Sequence, residues 1–215
     1  MEITWFGHSC FRISDRRMTS VVCDPYDNKE VGYVPLKLKA DIVTVSHDSP
    51  RHKNLKVVYD DPYIITGPGE YEIGGLFITG VSTFRDKKRG ADKGQNVIFS
   101  VNVNGVVVCH LGELGHTPTQ TQVEAMGSVN VLLIPVGIPD GLTPAMASEI
   151  VSLVEPDIIV PMNYKTPGLR TSRDTVDRFL KAMGVASGTP LSRLKIMSSS
   201  ASEETQVILL EPQQA

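Results

Sequence analysis

The stretch Ser46-His47-Asp48-Ser49-Pro50-Arg51-His52 decides how this chain is read. It follows Asp41-Ile42-Val43-Thr44-Val45, an apolar, β-branched run of strand length. A polar loop bearing two histidines at the end of a buried strand is where α/β folds place chemistry, because the strand is rigid and the loop is free to vary.

On the N-terminal side, residues 3–6, 10–13 and 20–23 are short β-rich runs, with a turn at 14–17 and an irregular loop over 27–40. On the C-terminal side, 63–66 and 76–79 read as strands around the glycine-rich 67–75, which is taken as turn punctuation. No lysine–serine/threonine pair or helix follows it, as a phosphate loop would require. Residues 96–103 and 106–110 flank Asn104-Gly105, a strong hairpin signal.

The pattern then alternates. Thr117-Pro118 and Gly127 bracket a helix near 118–126, and Thr143-Pro144 starts a second. Val176, Phe179, Leu180 and Met183 mark a third over 172–183. Strands are expected at 131–135, 157–161, 194–196 and 206–210, with a linker at Ser198-Ser199-Ser200. A β-rich first half followed by βα units fits two packed sheets with helices outside.

The 215 residues, net charge of -3 and 41% hydrophobic content suit one domain over 1–215 with a substantial core. The missing basic excess argues against nucleic acid or a membrane surface as partner. No apolar run approaches the roughly 20 residues of a membrane helix. The start, Met1 to Phe6, has no signal-peptide pattern, so a cytoplasmic location is expected. Cys10, Cys23 and Cys109 lie in apolar runs and read as buried free thiols.

Six segments carry a resemblance. They are Trp5-Phe6-Gly7-His8-Ser9, Asp24-Pro25, the 46–52 loop, Phe84-Arg85-Asp86, Cys109-His110-Leu111-Gly112-Glu113 and Pro161-Met162-Asn163-Tyr164. In this order they resemble the metallo-β-lactamase superfamily, within it the small metal-dependent hydrolases akin to ascorbate-6-phosphate lactonase. The 46–52 loop is similar to that family's Thr/Ser-His-x-His-x-Asp-His frame, with Ser49 at the middle histidine and Arg51 at the aspartate. The resemblance implies an α+β fold, a four-layer αββα sandwich with its site at one edge of the two sheets. It implies that one metal would take the positions of His47, Ser49 and Arg85. A second would take those of Arg51, His52 and Asn163, and Glu113 stands where an aspartate bridges both.

Serine and asparagine are poor ligands and guanidinium is none. A divalent ion about 5 Å from a guanidinium is repelled by roughly 6–7 kcal/mol at an effective dielectric near 20. Four good ligands supply about 10–16 kcal/mol to a structural zinc. The expectation is therefore a degenerate site with no catalytic residue and no cofactor, leaving His47, His52 and Glu113 as remnant metal positions. Arg51 is expected to turn inward onto Glu113 or Asp48, while for Arg85 inward and outward orientations stay open. Asp48, Ser49, Arg51, Arg85, Asn163 and Lys165 would line a cleft for an anionic small molecule. His8 and Asp24 would support it from behind, and His110 and His116 are structural or exposed. The alternative is an active hydrolase with one zinc, manganese or iron ion. A ligand-free structural homologue is a third reading, and a homo-oligomer is left open.

Overall fold

The structure is a computed structural model describing residues 1–15, 19–196 and 205–213. The chain runs through β1 (Glu2–Trp5), β2 (Phe11–Ser14), β3 (Val21–Cys23), α1 (Asn28–Val31), β4 (Leu38–Lys39) and β5 (Ile42–Thr44). It continues through β6 (Val58–Tyr59), β7 (Tyr63–Ile65), β8 (Gly69–Ile73), β9 (Leu76–Phe84), β10 (Gln95–Val103) and β11 (Val106–His110). The last part is α2 (Gln120–Met126), β12 (Val131–Pro135), α3 (Pro144–Val154), β13 (Ile158–Met162), α4 (Asp177–Ala182), β14 (Leu194–Lys195) and β15 (Gln206–Val207).

While β4 and β6 pair with each other alone, one large sheet has the order β14-β1-β2-β3-β5-β7 and the other β15-β13-β12-β11-β10-β9-β8. They form the α+β sandwich expected. All five residues of β12 are buried, as suits a parallel central strand covered on both faces. The sheets share a core that includes Trp5, Phe11, Ile98 and Phe99, joined by Met126, Ile150 and Phe179 from the helices. A second cluster, with Val22, Tyr26, Val31, Tyr33 and Val43, covers the other face of the first sheet. On that face lie the single turn α1, a 3₁₀ turn at Leu55–Val57 and the two-stranded pair of β4 and β6.

Asn104 and Gly105 both adopt positive φ, 53° and 83°, and close β10 onto β11 with Val103 opposite Val106. Both lie on the side of φ that a type I′ hairpin turn demands. Thr143 caps α3 as its Thr-Pro pair indicates.

Four expectations need correction. The glycine-rich 67–75 is not only a turn: Gly69–Ile73 pairs with Leu76–Phe84, and only Gly74-Gly75 makes the bend. The helix placed at 118 begins at Gln120, because Thr119 and Gln122 form a reciprocal capping box that outcompetes Thr117. The helix placed at 172 begins at Asp177, because the preceding segment is tied elsewhere through its backbone: Asp174 N–H donates to Gly137 O. The 27–40 loop holds α1 and β4. The 198–200 linker, and Arg16 and Arg17 of the 14–17 turn, lie outside the described residues.

Candidate metal centre

Strand ends bring the site together. Asp24 follows β3, and its carboxylate accepts from Ser46 N–H at 2.7 Å and from Ser46 Oγ–H at 2.6 Å. This fastens the head of the 46–52 loop to the neighbouring strand. Val97 N–H donates to Ser46 O, holding the same residue to the second sheet. Within the loop His52 N–H closes a turn onto Ser49 O. His8, Asp24 and Asn163 all have positive φ, between 45° and 57°, in loops beyond strand ends. Asp, Asn and His are the non-glycine residues that tolerate this region best.

The tautomers of both loop histidines follow from their bonds. Ser46 Oγ spends its proton on Asp24, so at 3.0 Å it accepts from His47 Nδ1–H. His52 Nδ1–H donates to Asp24 Oδ2 at 2.8 Å, and Ser9 Oγ lies equally close. The Nε2 atom of each ring is thereby left without a proton of the neutral imidazole. Both Nε2 atoms are buried and have no hydrogen-bond partner among the described residues. A carboxylate behind a histidine is the support that metal-binding imidazoles use.

The ring charges differ. Burial and the neighbouring His52 push His47 down to about 3. Burial would lower His52 too, but the charge and hydrogen bond of Asp24, with Glu113, hold it above the ordinary histidine value. Burial would raise Asp24, yet the charge of His52 and their hydrogen bond keep it well below the carboxylate range.

Glu113 sits opposite both rings, 3.5 Å from His47 Nε2 and 3.6 Å from His52 Nε2. Its N–H donates to Asn96 Oδ1 at 2.9 Å. Arg85 donates to Glu113 Oε2 from Nε at 2.9 Å and also from Nη2, and its Nη1 donates to Lys93 O. Glycine makes this approach feasible: a Cβ on Gly115 would lie 2.1 Å from Arg85 O. Arg173 reaches the other oxygen, with Nη2 3.5 Å from Glu113 Oε1. Burial would raise Glu113, but the close approach and charge of His52, with the charges of His47 and Arg85, keep it ionised, far below the usual range.

Of the expected site residues, the fold brings together His47, His52, Glu113 and Arg85, backed by Asp24 and His8. Asn163 is fully buried, with its side-chain oxygen and nitrogen unpartnered among the described residues, and its N–H donates to His8 O. His110 is structural: it accepts from Gly112 N–H at Nδ1 and donates from Nε2 to Ser9 O. His116 accepts from Phe84 N–H.

The expectation for Arg51 was wrong. Its side chain is 46% exposed and lies 4.0 Å from Glu30, and it makes no ion pair with Glu113 or Asp48. The tight turn that directs His52 inward directs its predecessor outward, with Arg51 N–H on Ser49 Oγ. Asp48 is 85% exposed and pairs with Lys53, so it is no cleft residue. Lys165 is exposed as well.

His47, His52 and Glu113 offer three ligand atoms lying within 4.8 Å of one another. Two imidazoles and one carboxylate suit zinc, iron or manganese. This donor set fits one ion, in competition with the two guanidiniums on Glu113. Ser49 has its Oγ engaged by Arg51 N–H, and neither Arg51 nor Arg85 is a ligand, so the positions implied for further ligation do not supply it.

Sequence reasoning missed Arg173, Ser9, Ser46 and Asn96 as site residues. Ser46 and Ser9 adjoin His47 and His8, a signal that could have been used. Arg173 was hidden because the sequence reading put it in the first turn of a helix over 172–183, whereas the structure leaves it in coil before Asp177.

The chain matches the family model described as "Beta-lactamase superfamily domain" over residues 2–163. It is 28% identical to a UPF0173 protein of Pyrococcus furiosus over 192 residues, covering 77% of this chain and 84% of that one. It is 26% identical to a UPF0173 metal-dependent hydrolase of Thermoplasma acidophilum, over 88% of this chain and 93% of that one. Among solved structures, a candidate Zn-dependent hydrolase of the metallo-β-lactamase superfamily from Thermotoga maritima superposes with a TM-score of 0.78. It has 35% identity and 97% coverage of both chains. A metallo hydrolase of Ignicoccus hospitalis, at 18% identity, TM-score 0.66 and coverage of 98% and 95%, shares the fold.

Proposed function

Given that the chain belongs to the β-lactamase superfamily, we propose that it is a metal-dependent-hydrolase homologue with a degenerate centre. In this reading it holds no two-metal site, and its old cleft binds an anionic small molecule through Arg85. The observation that carries the reading is the Arg85–Glu113 pair. The residue standing where the resemblance implies a histidine ligand delivers a fixed positive charge to the carboxylate that would bridge two ions. Arg85 keeps 24% of its side chain exposed, so a small anion can reach it from solvent. Guanidinium suits carboxylate and phosphate groups through its fork of donors.

Elemental analysis of protein purified without chelator tests the first half, and two zinc, iron or manganese ions per chain would overturn it. Thermal shift with inorganic phosphate, sugar phosphates and carboxylates tests the second, since a bound ligand raises the melting temperature by mass action. Arg85→Ala should weaken that shift, and flat curves across the panel would remove the anion site.

A second reading is an active hydrolase with one ion on His47, His52 and Glu113. It is favoured by the two unpartnered Nε2 atoms: Ser46 and Asp24 take up the Nδ1–H of each ring, which leaves Nε2 as the ligating atom once His52 gives up its second proton in exchange for an incoming ion. When bound, such an ion supplies Lewis acidity and an activated water. One metal per chain, together with hydrolysis abolished by His47→Ala, would establish this reading over the first.

A further inference from the structure

Arg173 lies outside every strand and helix and has no counterpart in the six resembling segments, yet its side chain is only 6% exposed. Its Nη2 is 3.2 Å from His8 Nε2 and 3.5 Å from Glu113 Oε1, and its Nη1 donates to Ser172 O at 2.8 Å. Its Nε is buried without a partner among the described residues. The backbone that follows it is fixed at Asp174. Asp174 donates its N–H to Gly137 O and accepts Lys165 N–H, and Thr166 bonds Tyr33 through its hydroxyl. The guanidinium is thus presented by a pinned loop. His8 faces it as an acceptor, its neutral form favoured by burial and by the charges of His52 and Arg173.

Glu113 therefore has one guanidinium on each oxygen, Arg85 at Oε2 and Arg173 at Oε1. We infer that Arg173 is a built-in cation, holding the Oε1 side of Glu113 where a second metal ion would bind. With Arg85 on the other oxygen, it limits the centre to one divalent ion at most. A buried carboxylate demands positive charge, and a tethered guanidinium supplies it without cofactor uptake. The same fixed charge repels any divalent ion approaching Glu113. Arg173 thus acts on the centre through Glu113, as a positioning and gating residue.

The inference rests on the reading of a charge-substituted centre, but the two fail separately. Wild-type metal content decides that reading, and the difference between variants decides this one. The full chain, stripped of metal, is titrated calorimetrically with zinc alone and with manganese alone, beside a thermal melt of each protein. Arg173→Met removes the charge and keeps the apolar stem. Arg173→Gln also keeps a donor for His8, and Arg173→Lys keeps the charge. The neutral variants are expected to bind the ion roughly tenfold more tightly than wild type or better, with Arg173→Lys close to wild type. A purely structural arginine would lower the melting temperature without raising metal affinity. The inference falls if either folded neutral variant binds no more tightly than wild type. It also falls if Arg173→Lys gains affinity equally, or if neither neutral variant melts cooperatively.

Discussion

Arg85 and Glu113 meet because Gly115 lets two backbone segments touch: Gly115 N–H donates to Phe84 O, and its bare Cα faces Arg85 O. The guanidinium reaches Glu113 Oε2 from there while its Nη1 holds Lys93 O. The charge pairing is thus set by main-chain packing and not by a freely sampled surface rotamer.

Gly115→Ala is therefore expected to destabilise by about 1–3 kcal/mol, the usual cost of forcing extra volume into a packed site. The denaturation midpoint measures this. A midpoint equal to wild type would mean that the two segments can separate at no cost.

Glu113→Gln leaves two largely buried guanidiniums without their carboxylate. Breaking a buried pair from one side costs about 3–5 kcal/mol, which for a chain of this size lowers the melting temperature by on the order of 10 °C. An unchanged melt would show that Glu113 is not the counter-ion of Arg85 and Arg173.

Arg51→Ala should be nearly silent, within about 0.5 kcal/mol, because its ion-pair contact among the described residues is a half-exposed one at 4.0 Å. It should also leave any anion-induced thermal shift intact, in contrast to Arg85→Ala. Equal loss from both variants would place Arg51 in the cleft after all.

Cys10, Cys23 and Cys109 are buried free thiols, and burial pushes Cys23 and Cys109 up to about 12. Thiolate is the reactive form, so a thiol reagent at pH 8 should label none of them in the native protein. All three should react in denaturant. Rapid native labelling would mean that these strands open locally.

The fold was legible because its signals are local. Asn104-Gly105 fixes one hairpin, Thr143-Pro144 starts one helix, and Val131-Leu132-Leu133-Ile134 fits a buried strand. β8 was missed because Gly67, Gly69, Gly74 and Gly75 punctuate it on both sides, although Tyr71 and Ile73 alternate as a strand should. His47, His52 and Glu113 were legible from their strand-end frames. Side-chain direction within a loop was not, so Arg51 was assigned the role that Arg85 fills. Arg173 reaches the site through backbone bonds from the 163–176 loop to Gly137 and Val31, partners far apart in the chain.

The left-handed backbone at Asn163 has a consequence for how such a centre can change over time. At φ 57° a β-branched or bulky residue is strained, whereas asparagine, aspartate, histidine and glycine fit with little penalty. The position therefore spells with a short alphabet, two letters of which can bind a metal ion well and two of which cannot. An exchange between histidine and asparagine there alters the ligand set while the end of β13 keeps its course and its bond to His8 O. At this position the chemistry can be edited independently of the architecture.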